Sequence, residues 1–189
     1  MRIGVLALQG AFIEHVQALR QLGVEAVELR QLPDLEQPLD GIVLPGGEST
    51  VQGKLLHELG MFALLQKKIA QGLPVLATCA GMILLAEKLT NDSKVHLATM
   101  PITVKRNAYG RQLGSFFTEA EFGKLGNVPM TFIRAPAITQ VSPGVDVLSS
   151  FEGQPTSVRW RNILAFAWHP ELTADRRAYA VFLDMCARR

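Results

Sequence analysis

Cysteine is scarce in this chain: Cys79 and Cys186 are the only two in 189 residues, too few for a disulfide framework. Both are expected as free thiols in a reducing cytoplasm. Excess charge is missing too. Lys and Arg number 19 against 17 Asp and Glu, a net charge of +2. A dominant nucleic-acid binder carries a strong basic excess or stripe, so that class is excluded. Disorder needs low hydrophobicity and high net charge, but 48% of the residues are hydrophobic. No stretch approaches the roughly 18 consecutive apolar residues of a membrane span. The apolar run at Ile3–Leu8 is too short for a signal peptide. His15, His57 and His96 lie in different segments without metal-ligand spacing and read as surface residues; no metal or cofactor is expected. The length suits one domain, residues 1–189.

What is present is alternation. Arg2–Leu8 is nearly all apolar, as in a strand buried on both faces. Ala11–Leu22 carries Phe12, Val16 and Leu19 at helical spacing before Gly23. Strands follow at Val24–Leu29, Gly41–Leu44 and Pro74–Ala77, with helices at Met61–Gln71 and Gly81–Leu89. Ser49 and Gln52 fit a capping box that opens one more helix. Short strands alternating with helices predict an α/β fold with a mostly parallel sheet covered on both faces. From Val95 onward the pattern changes. Strand-like segments at Val95–Val104, Gln112–Phe122, Met130–Ile133, Val145–Phe151, Thr156–Trp160 and Ile163–Ala167 predict antiparallel or mixed additions. A helix at Asp175–Ala187 closes the chain, with Cys186 on its apolar side.

Parallel sheets carry ligands at the carboxyl ends of their strands, and three such loops hold chemistry. Ala77-Thr78-Cys79-Ala80-Gly81 joins a strand to a helix through a cysteine between small residues. A nucleophile elbow needs that layout, and the positive end of the helix behind the sulfur suits an anionic nucleophile. Alone, Cys79 equally fits a small buried hydrophobe. Pro45-Gly46-Gly47-Glu48-Ser49-Thr50 offers backbone N–H groups to an oxyanion, or is a plain strand-to-helix turn. Trp168-His169-Pro170-Glu171 puts a histidine and a carboxylate on one side of an extended segment, where the carboxylate can hold the imidazole. Any one of these is weak evidence. Together, all at strand ends of one sheet and in the chain order Cys, His, Glu, they make the bland readings harder to keep.

These three loops resemble the signatures of class I glutamine amidotransferases. More narrowly, the chain resembles the glutaminase subunits of pyridoxal 5′-phosphate synthase. Gly4–Phe12, Pro45–Thr50, Arg106–Gln112 and Phe132–Pro136 carry that narrower likeness, and it spans residues 2 to about 187. Two departures touch no catalytic position: Trp168 stands before His169 where Phe is expected, and Val158–Ile163 is more basic and aromatic. The resemblance implies a three-layer α/β sandwich. It implies Cys79 as nucleophile, His169 as acid–base and Glu171 as its orienting partner. It implies an oxyanion hole from Gly47 and Ala80, and L-glutamine held by Gly46, Gly47, Glu48, Arg106, Ile133 and Arg134. Which arginine, if either, binds the substrate carboxylate is left open. The implied partner is a (β/α)8 synthase subunit that uses the ammonia to build pyridoxal 5′-phosphate, with no nucleic acid and no membrane involved. Two other readings stand beside it: the glutaminase subunit of another amidotransferase, and a non-catalytic regulatory protein on the same fold.

Overall fold

The alternation of the first half becomes one seven-stranded sheet. In a computed structural model that describes residues 1–108 and 115–188, the chain runs β1 (Arg2–Leu6), α1 (Phe12–Gln21), β2 (Glu25–Leu29), α2 (Leu32–Glu36), β3 (Gly41–Leu44), α3 (Ser49–Glu58), α4 (Phe62–Ala70), β4 (Val75–Thr78) and α5 (Ala80–Leu85). It continues through β5 (Ala86–Leu89), β6 (Met100–Lys105), β7 (Ser115–Glu121), β8 (Asn127–Ile133), β9 (Ala137–Val141), β10 (Asp146–Phe151), β11 (Gln154–Trp160) and β12 (Ile163–Phe166). A 3-10 turn (Pro170–Leu172) and α6 (Arg177–Ala187) complete it.

The main sheet has the order β10-β11-β12-β4-β3-β1-β2. β12, β4, β3, β1 and β2 are parallel to one another, while β10 and β11 extend the edge antiparallel. Every residue of β3, β4 and β12 is buried, which is why these strands read as unbroken apolar runs. Helices α1 and α6 meet on one face, joined through His15 and Tyr179; α3, α4 and α5 pack together on the other. Gly41 lets α6 lie close to β3: a Cβ there would sit 2.5 Å from Cys186 Sγ and 2.9 Å from Phe182 Cζ. Cys186 is therefore a core residue, as its place on the helix predicts.

The second half forms the three-stranded sheet β5-β6-β9 and the hairpin β7-β8. Phe116 and Phe132 stack at 4.4 Å, and Phe116 meets Phe151 of β10 at 5.1 Å, tying the hairpin to the main sheet. Trp168 stacks on Phe166 at 5.0 Å and donates its indole N–H to Ser157 Oγ at 2.7 Å, so the larger ring is accommodated. Arg161 lies over the Trp160 ring at the β11–β12 turn. No helix among the described residues is long and apolar enough to cross a membrane.

Several expectations need correction. The helix after Cys79 ends at Leu85 rather than Leu89: Ala86 is extended and pairs with Met100 to start β5. The short α2 and strand β9 were not expected. The capping box is absent: the N-cap of α3 is Glu48, Ser49 Oγ is buried without a hydrogen-bond partner among the described residues, and Gln52 donates to the carbonyls of Gln9 and Pro45. The two carbonyls in neighbouring loops take the amide NH2 group and so point the side chain away from the helix-end N–H that it would have accepted from. His15 and His96 are buried, at 0% and 8% exposure, and only His57 is a surface residue. Residues 109–114 of the Arg106–Gln112 segment and of the strand expected from Gln112 lie outside the described residues.

Candidate active site

β1, β3, β4 and β12 are neighbours in the sheet, so the loops at their carboxyl ends converge. Cys79 follows β4 directly. Its backbone has φ +47° and ψ −103°, a conformation that costs a non-glycine residue roughly 1–3 kcal/mol. The surroundings hold it there: its N–H donates to Phe166 O at 2.8 Å and its carbonyl accepts from Ile83 N–H at 3.2 Å. Two residues on, a Cβ at Gly81 would overlap the Leu44 carbonyl, so only glycine lets α5 start this close to β3. Strand, strained cysteine and helix together make the elbow that the sequence predicts.

His169 stands opposite, just after β12, with its N–H donated to Thr131 O at 2.9 Å. Its Nδ1 lies 2.6 Å from Glu171 Oε1, and both side chains are buried. The pairing matches expectation, but the local backbone does not. Pro170 starts a 3-10 turn instead of an extended segment, and this turn folds Glu171 back beneath the ring. With Nδ1 taken, Nε2 is the nitrogen left for Cys79; it is buried and has no completed hydrogen bond among the described residues. Burial disfavours the imidazolium, but the Cys79 sulfur beside the ring and the Glu171 carboxylate bonded to it outweigh that and raise the ring's pKa to about 10. Burial also works against the Glu171 carboxylate, yet His15 and His169 hold its pKa below the usual value.

Gly46 makes room for this encounter. A Cβ there would overlap the His169 ring and lie 3.4 Å from Cys79 Cβ. The Gly46–Glu48 loop is fastened to the end of β1: Ala11 N–H donates to Gly46 O at 3.0 Å, and Glu48 N–H to Gln9 Oε1 at 2.7 Å.

Cys79 and His169 open into a cavity of about 270 Å³, the small end of the range for small-molecule sites. Gly46, Gly47, Glu48, Arg106, Ile133 and Arg134 all line it, together with Gln9, Ala11, Ser49, Ile83 and Asn107. Ala80, next to Cys79, and Glu171, bonded to His169, are buried and lie outside the lining. The two arginines differ. Arg106 donates to Glu48 Oε1 at 2.8 Å and to Asp92 Oδ2 at 3.1 Å. Arg134 has φ +43° and makes no ion pair among the described residues.

Sequence reasoning missed one residue at the centre of the site. His15 of α1 is fully buried behind Glu171, with Nε2 3.4 Å from Glu171 Oε2 and 3.2 Å from Thr78 Oγ1, and Nδ1 2.6 Å from Tyr179 Oη. A signal was available: His15 falls three residues after Phe12 and four before Leu19, inside the apolar stripe of its helix.

Comparison with known proteins agrees with this geometry. A subunit named PdxT of pyridoxal 5′-phosphate synthase from Desulfitobacterium hafniense (strain Y51) is 61% identical over 184 residues, 97% of this chain and 92% of that protein. The PdxT subunit of Streptococcus pneumoniae (strain ATCC 700669 / Spain 23F-1) is 52% identical over 192 residues, the full length of both. A crystal structure described as a glutamine amidotransferase superposes with a TM-score of 0.93 at 42% identity, covering 98% of each chain. The SNO glutamine amidotransferase family matches residues 5–188, and with its elbow cysteine and paired histidine and glutamate within that span, the chain belongs to this family.

Proposed function

We propose that this chain is the glutaminase subunit of a pyridoxal 5′-phosphate synthase, hydrolysing L-glutamine to L-glutamate and ammonia. The observation that carries the mechanism is the 2.6 Å His169–Glu171 bond, which leaves Nε2 as the nitrogen facing Cys79. Cys79 Sγ attacks the side-chain amide carbon of glutamine. His169 Nε2 takes the thiol proton and returns it to the departing ammonia, while Glu171 holds the ring and balances its charge. The oxyanion is held by the N–H groups of Gly47 and Ala80. Water then attacks the glutamyl thioester, releasing glutamate and restoring the thiol.

The substrate's amino-acid end lies toward Glu48, Arg106, Ile133 and Arg134. Arg106 is committed to two carboxylates, so it shapes Glu48 rather than meeting the substrate carboxylate. Arg134 is the guanidinium available for that carboxylate. Glu48, at the cavity, faces the ammonium group.

Ammonia released into neutral water becomes non-nucleophilic ammonium, so the partner is a (β/α)8 synthase subunit that receives it in a protected channel. Gln9, bonded to the Gly46–Glu48 loop, couples partner docking to the Gly47 peptide. The test is glutamine-dependent pyridoxal 5′-phosphate formation by this chain mixed with a synthase subunit. Product formation with glutamine, lost in Cys79→Ala but rescued by ammonium salts, is expected. Failure to support glutamine-dependent synthesis, while ammonium salts still do, would refute the reading.

A further inference from the structure

We propose that His15 is a positioning residue for glutamine hydrolysis: oriented by Tyr179, it presents Nε2–H to the outer oxygen of Glu171 and so fixes the carboxylate that aligns His169. The proposal rests on the triad reading above and extends it by two residues from opposite ends of the chain.

Glu171 has two oxygens and only one is used by His169. Oε2 is buried and has no hydrogen-bond partner among the described residues. The donor that faces it is His15 Nε2 at 3.4 Å, about 0.4 Å longer than a well-formed N–H···O bond. Hydrogen bonds at a catalytic site are often long without substrate and tighten once it binds. Without that donor, the carboxylate is held by His169 and by its own backbone N–H alone, and its outer oxygen faces no side-chain donor among the described residues.

The proton's location on His15 follows from its neighbours. Burial, and then the Glu171 charge, push the Tyr179 hydroxyl far above its usual pKa. The phenol therefore keeps its proton and donates it across the 2.6 Å contact to His15 Nδ1. Nδ1 is then an acceptor, and the imidazole proton must sit on Nε2, toward Glu171 and Thr78. Charge on the ring is disfavoured as well. Burial lowers the His15 pKa; Glu171 and Glu14 pull the other way, and His169 adds to the lowering. Arg176, lying over the Tyr179 ring at 5.9 Å, is the remaining charge on that side. A neutral donor is what the site needs. A cationic His15 would compete with His169 for the carboxylate, whereas a neutral N–H holds it in place and leaves its charge for the imidazolium. The Nε2–H is shared with Thr78 Oγ1, which accepts it at 3.2 Å; Thr78 immediately precedes Cys79, so one side chain ties the nucleophile's strand to the acid–base pair. His15 does not line the cavity, hence its effect is expected on turnover and not on substrate affinity.

The test is steady-state glutamine hydrolysis by this chain bound to its synthase subunit, comparing His15→Leu, His15→Gln and Tyr179→Phe. His15→Leu should lose roughly tenfold or more in kcat, as loss of such outer partners typically does, with KM for glutamine changed less than about twofold. His15→Gln, whose amide can donate from near the Nε2 position, should recover most of that loss. Tyr179→Phe removes one oxygen and should lower kcat severalfold with KM unchanged. A folded His15→Leu with wild-type kcat would overturn the proposal, as would a His15→Gln as impaired as His15→Leu. If His15→Leu fails to fold, an unimpaired Tyr179→Phe overturns it. Cys79→Ala in the same assay separates the two levels: continued hydrolysis there defeats the triad, whereas its inactivity beside a fully active His15→Leu defeats only the role of His15.

Discussion

His169 Nδ1 and Glu171 Oε1 face each other at 2.6 Å inside the protein, and this bond decides which nitrogen of the ring does chemistry. A carboxylate can only accept, so Nδ1 carries a proton, and in the proposed mechanism Nε2 is the nitrogen that exchanges one with Cys79. Glu171→Gln offers an amide in place of the anion and weakens both orientation and charge balance. It should lower kcat by roughly 10²–10⁴-fold, and His169→Asn should lower it further, since the base itself is gone. Steady-state rates of the two variants check the order. A His169→Asn more active than Glu171→Gln would reverse the assigned roles.

The strained backbone at Cys79 makes a prediction about stability that is separate from catalysis. At φ +47° alanine keeps the strain and glycine relieves it. Cys79→Ala and Cys79→Gly should both be inactive, but the glycine variant should unfold at the higher temperature, by an amount corresponding to about 1 kcal/mol. Thermal denaturation of the two proteins measures this. Equal or lower stability of Cys79→Gly would mean that the elbow stores no strain.

The same histidine sets a pH dependence. The folded pKa of about 10 lies above the 6.5 of an ordinary histidine, so folded His169 binds its proton more tightly than unfolded His169. Its stabilising contribution is fully present below about pH 6.5 and is lost as the pH rises through about 10. The stability gap between the wild type and His169→Gln should therefore narrow from pH 7 to pH 10. Denaturant unfolding at several pH values reads this directly, and a gap that widens with pH contradicts it. Glu171 has the opposite sign: its lowered pKa gives stability present above pH 4.5 and lost on acidification.

The two cavity arginines should separate in kinetics. Arg134→Met should raise KM for glutamine by roughly tenfold or more, because a carboxylate loses its charge-assisted partner, with a smaller change in kcat. Arg106→Met frees Glu48 and Asp92 from their shared guanidinium and should also weaken binding. Doubling it with Glu48→Gln should then add little, because the two residues act as one unit. Full additivity of Arg106→Met and Glu48→Gln would show that they act independently.

The parallel half of the fold is legible in the sequence because buried strands such as Gly41–Leu44 and Ile163–Phe166 are apolar throughout. The elbow at Cys79 and the His169–Glu171 pair are legible for another reason: their spacing is local. Errors came where distant partners overrode local pattern. Ala86–Leu89 continues the helix-like pattern of Gly81–Leu85 in sequence, yet pairing with β6 draws it into a strand. Gln52 looks like part of a cap until the carbonyls of Gln9 and Pro45 claim its amide. His15 meets Tyr179 across 164 residues of sequence, a contact that no local spacing announces. The unequal roles of Arg106 and Arg134 are hidden in the same way, because they depend on carboxylates from two other loops.

The central claim is that glutamine is cleaved through a thioester on Cys79, and trapping that intermediate tests it most directly. The complex is mixed with glutamine, quenched in acid within a turnover and digested, and its peptides are weighed. A glutamyl adduct on the peptide containing Cys79, absent from the Cys186 peptide and from His169→Asn, is the predicted result. Sustained glutamate release with Cys79 unmodified at every quench time, or undiminished release by Cys79→Ala, would contradict the account.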